Sequence, residues 1–427
     1  MMPYQVPPTN LRSRDNTMFA VRQPVIKVIG LGGGGSNAID RMIASGIVGV
    51  DFIAANTDEQ VLKMSKANTT ILLGPNETRG LGAGGKPMVG RAAALESRHE
   101  LEEALQDADM VFLTAGMGGG TGTGSIAVAA EVAQSLGAVT IAVVTTPFAF
   151  EFGNRQHNAQ LGLQELRKFT NTLITIPNDR LLEIGPRDLP MEMTFRLADD
   201  LLRQAVQGIT ELITEPGVIN VDFAHIRRLM QLGGGSLMCI GYGEGKNKAL
   251  NAVEQALSHP LLGDDVSIEN ASGIIANFTG GADLSLFEVG AALGHLQEKA
   301  GNHAEIVMGI INNESMSNRT EVILIVTGLG GATLEDAMRQ ANQQRQNNIP
   351  NSAYESPTSP GRSILQPVTE RSKRTEAANA QPVDANTEEP VEVGVSANAA
   401  PYVSSRQRAN TNIDLPAFMR KNRRYDQ

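Results

Sequence analysis

Cysteine is nearly absent from this sequence, which contains only Cys239, and this excludes an internal disulfide framework. A single thiol is typical of a protein from a reducing cytosol. Histidine is also scarce. Six are present, and none lies in a metal-binding pattern such as His-Glu-x-x-His. The sequence therefore favours neither a disulfide-stabilised secreted domain nor a histidine-based metal site.

Long apolar runs and an excess of basic charge are both missing. Residues 1–23 are polar and contain proline, without the apolar core of a signal peptide. The most apolar stretch, residues 125–150, is interrupted by Glu131, Gln134 and Gly137, so it predicts a helix followed by a strand and not a membrane span. The formal net charge of -10 argues against a general nucleic-acid binder, because such a protein needs a basic surface.

Strand and helix patterns alternate along the first half of the chain. Continuously apolar segments, such as residues 25–30, 110–114 and 139–145, are separated by helical spacings, including one over residues 91–104. Continuous apolar strands that alternate with helices are typical of a parallel sheet covered on both faces. The predicted fold class is therefore α/β.

The length of 427 residues predicts two domains with additional tails. Residues 341–410 are poor in large apolar side chains, so they are expected to form a disordered linker. The chain is expected to divide into six parts: a disordered N-terminal tail, a first α/β domain, a long amphipathic central helix with its connection, a second α+β domain, the linker and an apolar C-terminal peptide. These correspond to residues 1–23, 24–194, 195–219, 220–330, 341–410 and 411–427.

A first glycine run, Gly30 to Asn37, follows a predicted strand and precedes a predicted helix. Glycine lets the backbone approach a ligand closely, and a helix N-terminus presents free amides to an anion. Gly30, Gly32 and Gly35 also satisfy the dinucleotide fingerprint, so a nicotinamide-dependent oxidoreductase is one interpretation. A purely structural role of these glycines in packing is another.

A second run, Gly116 to Gly124, again lies between a strand and a helix. Two such loops at one sheet edge can hold the phosphates of one nucleotide, whereas a nicotinamide enzyme does not need the second. The Gly-Lys-Ser/Thr phosphate loop is absent, so the chain is not a standard P-loop NTPase. A third glycine segment, Thr78 to Pro87, is expected to close over the terminal phosphate.

The segment Gly118–Gly124 (GGGTGTG) matches the signature of the tubulin/FtsZ family, and residues 112–124, 176–179, 205–209 and 220–224 resemble bacterial FtsZ. The resemblance runs from about Val25 to Gly328. It implies a GTP-binding domain of tubulin/FtsZ type, a second activation domain and a cytoplasmic, self-assembling GTPase. Head-to-tail filaments of such a protein form the division ring at midcell, and GTP/GDP and Mg²⁺ are the implied cofactors.

The resemblance also implies roles for individual residues. The glycine-run residues that would hold phosphates and ribose are Gly32, Gly33, Gly34, Gly35, Ser36, Asn37, Gly118, Gly119, Gly120, Thr121 and Gly122. Glu151 and Arg155 would contact ribose and phosphates. Phe195 would stack on the base, and Asp199 would accept hydrogen bonds from guanine. From the helical pattern alone, the last two would be a core aromatic and a solvated charge. The metal ligands stay unknown.

In this family the neighbouring subunit completes the active site with a loop, and the matching residues here are Asn220, Asp222 and His225. The family normally has an aspartate in place of His225, so a reduced hydrolysis rate is expected. A GTP-binding but hydrolysis-impaired paralogue with a structural or regulatory role is the resulting alternative. Lys86, Met88 and Phe152 also depart from the family pattern, in which asparagine, glutamate and glycine are usual.

The C-terminal segment resembles the partner-binding peptide of bacterial FtsZ. Its residues are Asp414, Leu415, Pro416, Phe418, Met419 and Arg420. The apolar ones, Leu415, Phe418 and Met419, have the spacing of one helical face. The resemblance implies that this peptide binds a membrane-anchoring division protein, so that contact with the membrane is indirect. Basic residues 420–424 are expected to add weak attraction to anionic lipid.

Overall fold

The computed structural model describes residues 23–151, 153–184, 190–214, 217–219, 221–233, 235–262 and 267–329. Its strands are β1 (Ile26–Leu31), β2 (Asp51–Asn56), β3 (Thr69–Leu72), β4 (Met110–Gly116), β5 (Val139–Thr146), β6 (Thr172–Pro177), β7 (Gly235–Glu244), β8 (Gly273–Gly280), β9 (Glu305–Asn312) and β10 (Arg319–Leu329). Its α-helices are α1 (Gly32–Ala44), α2 (Glu59–Met64), α3 (Pro75–Thr78), α4 (Pro87–Glu96), α5 (Arg98–Leu105), α6 (Thr121–Ser135), α7 (Arg155–Leu166), α8 (Asn178–Ile184), α9 (Met191–Thr214), α10 (Phe223–Met230), α11 (Lys248–Leu257) and α12 (Leu286–Ala300).

The strands form one sheet in the order β3-β2-β1-β4-β5-β6-β7-β10-β8-β9. Every pair from β3 to β7 is parallel, whereas β10 is antiparallel to both β7 and β8. The predicted α/β fold class with a parallel sheet is confirmed. Because β1, β4, β5 and β6 run in the same direction, their carboxyl ends meet at one edge.

The central strands are continuously apolar because helices cover both of their faces. On one face, Phe112 of β4 packs in a cluster with Ile39 of α1 and Leu202 of α9. On the other, Leu113 of the same strand packs in a cluster with Ile126 of α6. Alternate residues of one strand thus pack into two cores, one on each face of the sheet. The carboxyl edge of the sheet therefore lies between two packed layers of helices.

The long helix α9 begins at Met191, four residues before the predicted start, and ends at Thr214. Its predicted apolar stripe is buried and consists of Ala198, Leu201, Leu202, Ala205, Ile209 and Leu212. The side-chain amide of Asn277 on β8 donates to the carbonyl oxygen of Gly208 over 3.1 Å. The helix therefore contacts the first part of the sheet through its apolar stripe and the second part through a buried hydrogen bond.

The two parts of the sheet meet along a short seam. Strands β6 and β7 pair at only two positions, where Leu173 lies opposite Gly235 and Ile174 lies opposite Ser236. Beyond that seam, β7, β10, β8 and β9 pack with α11 and α12 around their own apolar cluster. The second core therefore belongs to residues that follow α9.

One predicted element differs in the structure. The single helix expected over residues 91–104 is two helices, α4 and α5, because the chain turns at Ser97. The Ser97 hydroxyl donates to the carbonyl oxygen of Leu72 and accepts from the amide of Gly74. This buried serine bonds to a neighbouring loop, and periodicity along the helix contains no sign of that contact.

Several expectations lie outside the described residues, namely the N-terminal tail up to residue 22, the linker, the C-terminal peptide, Asn220 and Phe152. Within the described ranges, we find no helix with the length and apolar character needed to span a membrane.

Candidate nucleotide-binding site

A cavity of about 510 Å³ lies at the edge where the carboxyl ends of β1, β4, β5 and β6 meet. Each of these strands or the residue after it contributes to the lining, through Leu31, Gly116, Thr145 and Asn178. Ligands of open parallel sheets bind in the crevice at this edge, and the volume lies in the range of small-molecule pockets.

The first glycine run forms the opening turn of α1 and not a separate loop before it, since the helix begins at Gly32. Gly32 has φ +70°, and a Cβ there would lie 2.7 Å from the amide nitrogen of Gly122. A Cβ on Gly35 would lie 2.5 Å from the carbonyl oxygen of Thr114. These glycines let the chain segments touch, while Gly33, Gly34 and Asn37 line the cavity.

The second glycine run forms a turn that leads into α6. Gly118 has φ +99°, and its amide donates to the hydroxyl of Thr123 over 2.8 Å. The residues of this run that line the cavity are Gly116, Met117, Gly119, Gly120, Thr121 and Gly122. Two helices, α1 and α6, therefore direct their N-termini to one cavity. Unpaired amides and the helix dipole at such termini attract anions.

The third glycine segment packs directly on the second run. A Cβ on Gly120 would lie 2.8 Å from the amide nitrogen of Lys86 and 2.9 Å from the Cβ of Ala83. The side chains of Leu81 in this segment and of Met88 directly after it are 82% and 74% exposed. The segment thus lies beside the predicted phosphate site. Closure over a terminal phosphate stays a prediction.

The opposite end of the cavity is formed by α9 and α1. Phe195 lies in the wall with its side chain exposed, and it contacts Phe148 edge-on with a centroid distance of 5.6 Å. Asp199, one helical turn further, forms a 3.0 Å ion pair with Arg41. Burial raises the pKa of the Asp199 carboxyl to about 6, while Arg41 lowers it and Asp200 raises it. An aromatic ring and a buried carboxylate therefore face the same space.

Glu151 and Arg155 line the cavity between its two ends. The Glu151 carboxylate accepts from an Arg155 guanidinium nitrogen over 2.6 Å and from the amide of Phe148 over 2.9 Å. The sequence thus predicts residues from four separate segments that the fold brings to one cavity. Of the predicted binding residues, Gly32, Gly35, Ser36 and Gly118 do not line it.

Comparison with known proteins agrees with this geometry. The model of the tubulin/FtsZ family GTPase domain matches residues 25–186, and that of the FtsZ family C-terminal domain matches residues 234–330. An FtsZ from M. jannaschii, solved as an empty dimer, is 44% identical, covers 73% of this chain and 90% of its own, and has a TM-score of 0.69. The chain belongs to the FtsZ family.

More distant relatives share the fold alone. CetZ2 from Haloferax volcanii, solved as a GTPγS-bound protofilament, is 20% identical, covers 76% of this chain and 99% of its own, and has a TM-score of 0.64. CetZ1 from the same organism, solved as a GDP-bound monomer, is 18% identical over 75% of this chain and 99% of its own, with a TM-score of 0.63.

Membership in the FtsZ family makes this chain an FtsZ-like cytoskeletal GTPase of cell division, and the family binds GTP and GDP. The resemblance stated from the glycine signature is confirmed. The oxidoreductase interpretation rested on the first glycine run alone and has no support from these relatives.

Several residues that line the cavity were not among the predicted binding residues. Arg41 is four residues after Asn37 on α1, so helical spacing alone would have placed it on the same face. Asn178 is only 5% exposed, and its Oδ1 atom lacks a hydrogen-bond partner among the described residues. The other lining residues absent from the prediction are Leu31, Gly116, Met117, Thr145, Pro147, Glu192 and Ala198.

Asp222 and His225 do not line the cavity of their own chain. Asp222 is the N-cap of α10, where its carboxylate accepts from the amide of Ala224 over 3.0 Å, and His225 is exposed in the first turn. Both lie on the surface. In the described ranges, no three His, Cys, Asp or Glu side chains cluster as metal ligands. Mg²⁺ is commonly held by one or two carboxylates together with phosphates, and it stays a prediction.

Proposed function

We propose that this chain binds GTP in the cavity, polymerises head to tail and hydrolyses GTP in a site completed by the next subunit, forming the division ring of a bacterial cell. One observation carries the proposal. The cavity presents two helix N-termini at one end and an aromatic ring beside a buried carboxylate at the other, which is the polarity of a nucleotide.

The phosphates bind at the glycine end. Amides of the α1 and α6 turns donate to phosphate oxygens without any lysine of a P-loop. They belong to the residues of Gly32–Asn37 and Gly118–Gly122 that line the cavity, such as Gly33, Gly34, Gly119 and Gly120. Arg155 supplies positive charge. Glu151, already fixed by Arg155 and the Phe148 amide, accepts from a ribose hydroxyl. Mg²⁺ adds charge neutralisation at the terminal phosphates.

The base binds at the other end. Phe195 offers an exposed ring for stacking, and Asp199 accepts from the two donors on the guanine edge. A site that pairs with a particular set of donors rejects an analogue that lacks them, because its own polar groups are then left unpaired. GTP is therefore favoured over ATP.

Hydrolysis is completed by a second copy. Asn220, Asp222 and His225 enter the neighbour's cavity and orient the attacking water, which is the main task in phosphoryl transfer. This assignment is supported by the exposed position of Asp222 and His225, away from their own cavity. A contact between two different surfaces of identical copies does not close on itself, so it produces an open filament.

In this proposal, residues 24–194 form the GTP-binding domain, 195–219 the central helix with its connection, and 220–330 the activation domain. The tail serves a separate purpose. The linker spans the distance to the membrane, and the peptide Asp414–Arg420 binds an anchoring division protein at midcell in the cytoplasm.

A second candidate is a GTP-binding FtsZ paralogue that assembles but hydrolyses slowly, and His225 is the observation that favours it. Histidine replaces a carboxylate that would attract both the metal and the water. The two candidates differ in turnover and not in binding.

The test combines two measurements on the full-length chain. Competition of GTP, ATP and NAD against labelled GDP identifies the nucleotide, and equal displacement by ATP and GTP would defeat the proposal. Phosphate release and light scattering, followed together over a protein concentration series with GTP, should rise above the same critical concentration if the neighbour completes the site. Turnover that is constant per subunit from the lowest concentration would show that each subunit hydrolyses alone.

A further inference from the structure

The ion pair between Arg41 and Asp199 connects two elements that form the base end of the cavity. Arg41 lies in the last turn of α1, Asp199 lies on α9, and Nη1 of the arginine is 3.0 Å from Oδ2 of the aspartate. The Asp199 side chain is 13% exposed and that of Arg41 is 35% exposed. Both side chains line the cavity, next to Phe195.

Other charged groups near this pair are engaged elsewhere. On α1, Asp40 accepts from the Ser65 hydroxyl and the Lys66 amide. On α8, Asp179 accepts from the Ala149 amide, and Arg180 pairs with Glu183.

On α9 itself, the acidic neighbours are Asp200, which pairs with Arg203, and Glu192, which pairs with Arg196. Strands β5 and β8, which also pack against α9, carry no titratable side chain. Among the described residues, Arg41 is therefore the cation that faces Asp199.

The protonation state of Asp199 depends on two opposing influences. Burial raises the pKa of its carboxyl to about 6 in spite of Arg41, which acts in the opposite direction. An adjacent arginine commonly lowers a carboxyl pKa by about 1–3 units. Without the guanidinium, the carboxyl would thus be about half protonated or more at pH 7.

Protonation changes which purine the carboxyl complements. An ionised carboxylate offers two acceptors, and these match the N1–H and N2–H donors of guanine. A protonated carboxyl offers one donor and one acceptor, and these match N1 and the N6 amino group of adenine. The ionised side chain therefore selects guanine, whereas the protonated one loses this selectivity, because its donor and acceptor also fit O6 and N1–H of guanine.

We propose that Arg41 is a positioning residue that determines base specificity, because it holds Asp199 ionised and so makes the cavity select guanine and reject adenine. This inference rests on the proposed function, since it requires Asp199 to face the base. The guanidinium acts through Asp199 and needs no contact with the nucleotide.

The test measures dissociation constants for GDP and ADP on the full-length chain from pH 5 to 9 at constant ionic strength. Diphosphates avoid hydrolysis during the measurement. Wild type, Arg41→Met and Arg41→Lys are compared with Arg98→Met, a control arginine on α5 that is 34% exposed and pairs with Glu102 and Glu131 away from the cavity.

In wild type, the preference for GDP over ADP should fall as the pH drops through about 6. In Arg41→Met, the same fall should occur about 1–3 pH units higher, so the preference at pH 7 should be about 2-fold or more below that of wild type and should recover as the pH rises further. Arg41→Lys should restore most of the preference, and Arg98→Met should match wild type.

Two outcomes contradict the inference. The first is a ratio of GDP affinity to ADP affinity in Arg41→Met that equals that of wild type at every pH. The second is an equal loss of affinity for both nucleotides at every pH, which would indicate a structural role of Arg41. If wild type binds neither nucleotide, the proposed function itself fails, so the two failures can be told apart.

Discussion

The ring of Phe148 contacts the ring of Phe195 edge-on, with centroids 5.6 Å apart and an interplanar angle of 76°. Phe148 is 1% exposed and stacks on Phe150 at 4.9 Å, whereas Phe195 is 40% exposed and lines the cavity. The buried ring of Phe148 therefore supports the ring of Phe195, which we propose stacks on the base. Replacing Phe148 with a smaller side chain tests this relationship.

Phe148→Leu should weaken GDP binding by about 3- to 10-fold, since an aromatic pair contributes about 0.5–1.5 kcal/mol beyond buried area. Binding of a ribose diphosphate without a base should not change. Isothermal titration with both ligands measures the difference. Phe278→Leu, at a buried position of β8, is the control for general loss of stability. An equal loss for both ligands would indicate that Phe148 supports the whole cavity and not the base.

Gly119→Ala should fold normally and bind GDP at least 10-fold more weakly. A Cβ on Gly119 meets no atom within 4 Å, yet the residue lines the cavity. The added methyl group would occupy the space of a phosphate that contacts the backbone. Thermal melting and GDP titration check both statements. Gly290→Ala on the exposed face of α12 makes the same chemical change in open space and should leave binding intact. If Gly119→Ala binds like wild type, the phosphates do not approach this turn.

His225→Asp should raise the GTP turnover of assembled subunits, by roughly 10²-fold if the carboxylate positions water or metal in the transition state. Turnover in wild type should be slow and filaments long-lived. Phosphate release per polymerised subunit provides the measurement. Unchanged turnover in His225→Asp, together with a fast wild type, would show that this position is a surface variant.

Asp222 needs a more careful substitution, because its carboxylate is also the N-cap of α10. Asp222→Asn keeps a capping side chain but removes the charge, whereas Asp222→Ala removes both and costs roughly 1 kcal/mol of helix stability. If Asp222 acts in the neighbour's site, both variants should lose most of the turnover. Loss in the alanine variant alone would trace the defect to the cap.

Glu321→Gln should stabilise the folded chain above neutral pH. Burial raises the pKa of the Glu321 carboxyl to about 7, with Glu211 and Asp200 acting in the same direction and Arg203 against them. Tyr242 on β7 lies opposite Glu321 in the sheet. The folded chain binds this proton more tightly than the unfolded chain, so the associated stability is complete below pH 4.5 and is lost as the pH rises through about 7.

Urea unfolding of wild type and Glu321→Gln from pH 4 to 8.5 measures this linkage. The two free energies of unfolding should agree near pH 4 and differ by roughly 1–3 kcal/mol at pH 8.5. Glu254→Gln, an exposed change on α11, should follow wild type throughout. Parallel curves for wild type and Glu321→Gln would mean that the carboxyl titrates in the same way in both states.

If the C-terminal peptide binds the anchor as proposed, Phe418→Ala should abolish recruitment of filaments to the membrane and leave polymerisation intact, because the spacing of Leu415, Phe418 and Met419 predicts one apolar face. Fluorescence microscopy measures recruitment, and sedimentation with GTP measures assembly. Tyr402→Ala removes an aromatic of the tail outside the peptide and is the matched control. Recruitment that is the same in both variants would exclude this peptide as the anchor.

The sequence by itself determined those features of this protein that depend on the pattern of neighbouring residues along the chain. Continuous apolar strands between helices predicted the parallel sheet, since a strand buried on both faces has no polar positions. Two glycine runs after strands predicted a cavity at the carboxyl edge, because parallel strands bring such turns together. The apolar stripe of α9 was also predicted from its helical spacing, although the helix begins four residues earlier than expected.

Only the tertiary structure decided which distant side chains meet. The break at Ser97 coincides with a hydrogen bond to the last residue of β3, and the pairing of Arg41 with Asp199 arises from the packing of α1 against α9. Phe148 reaches Phe195 because the turn after β5 is fixed by Glu151. Periodicity states which face of a helix is buried, but the opposing helix and its register follow from the packing of the whole core, and no local pattern in the chain contains them.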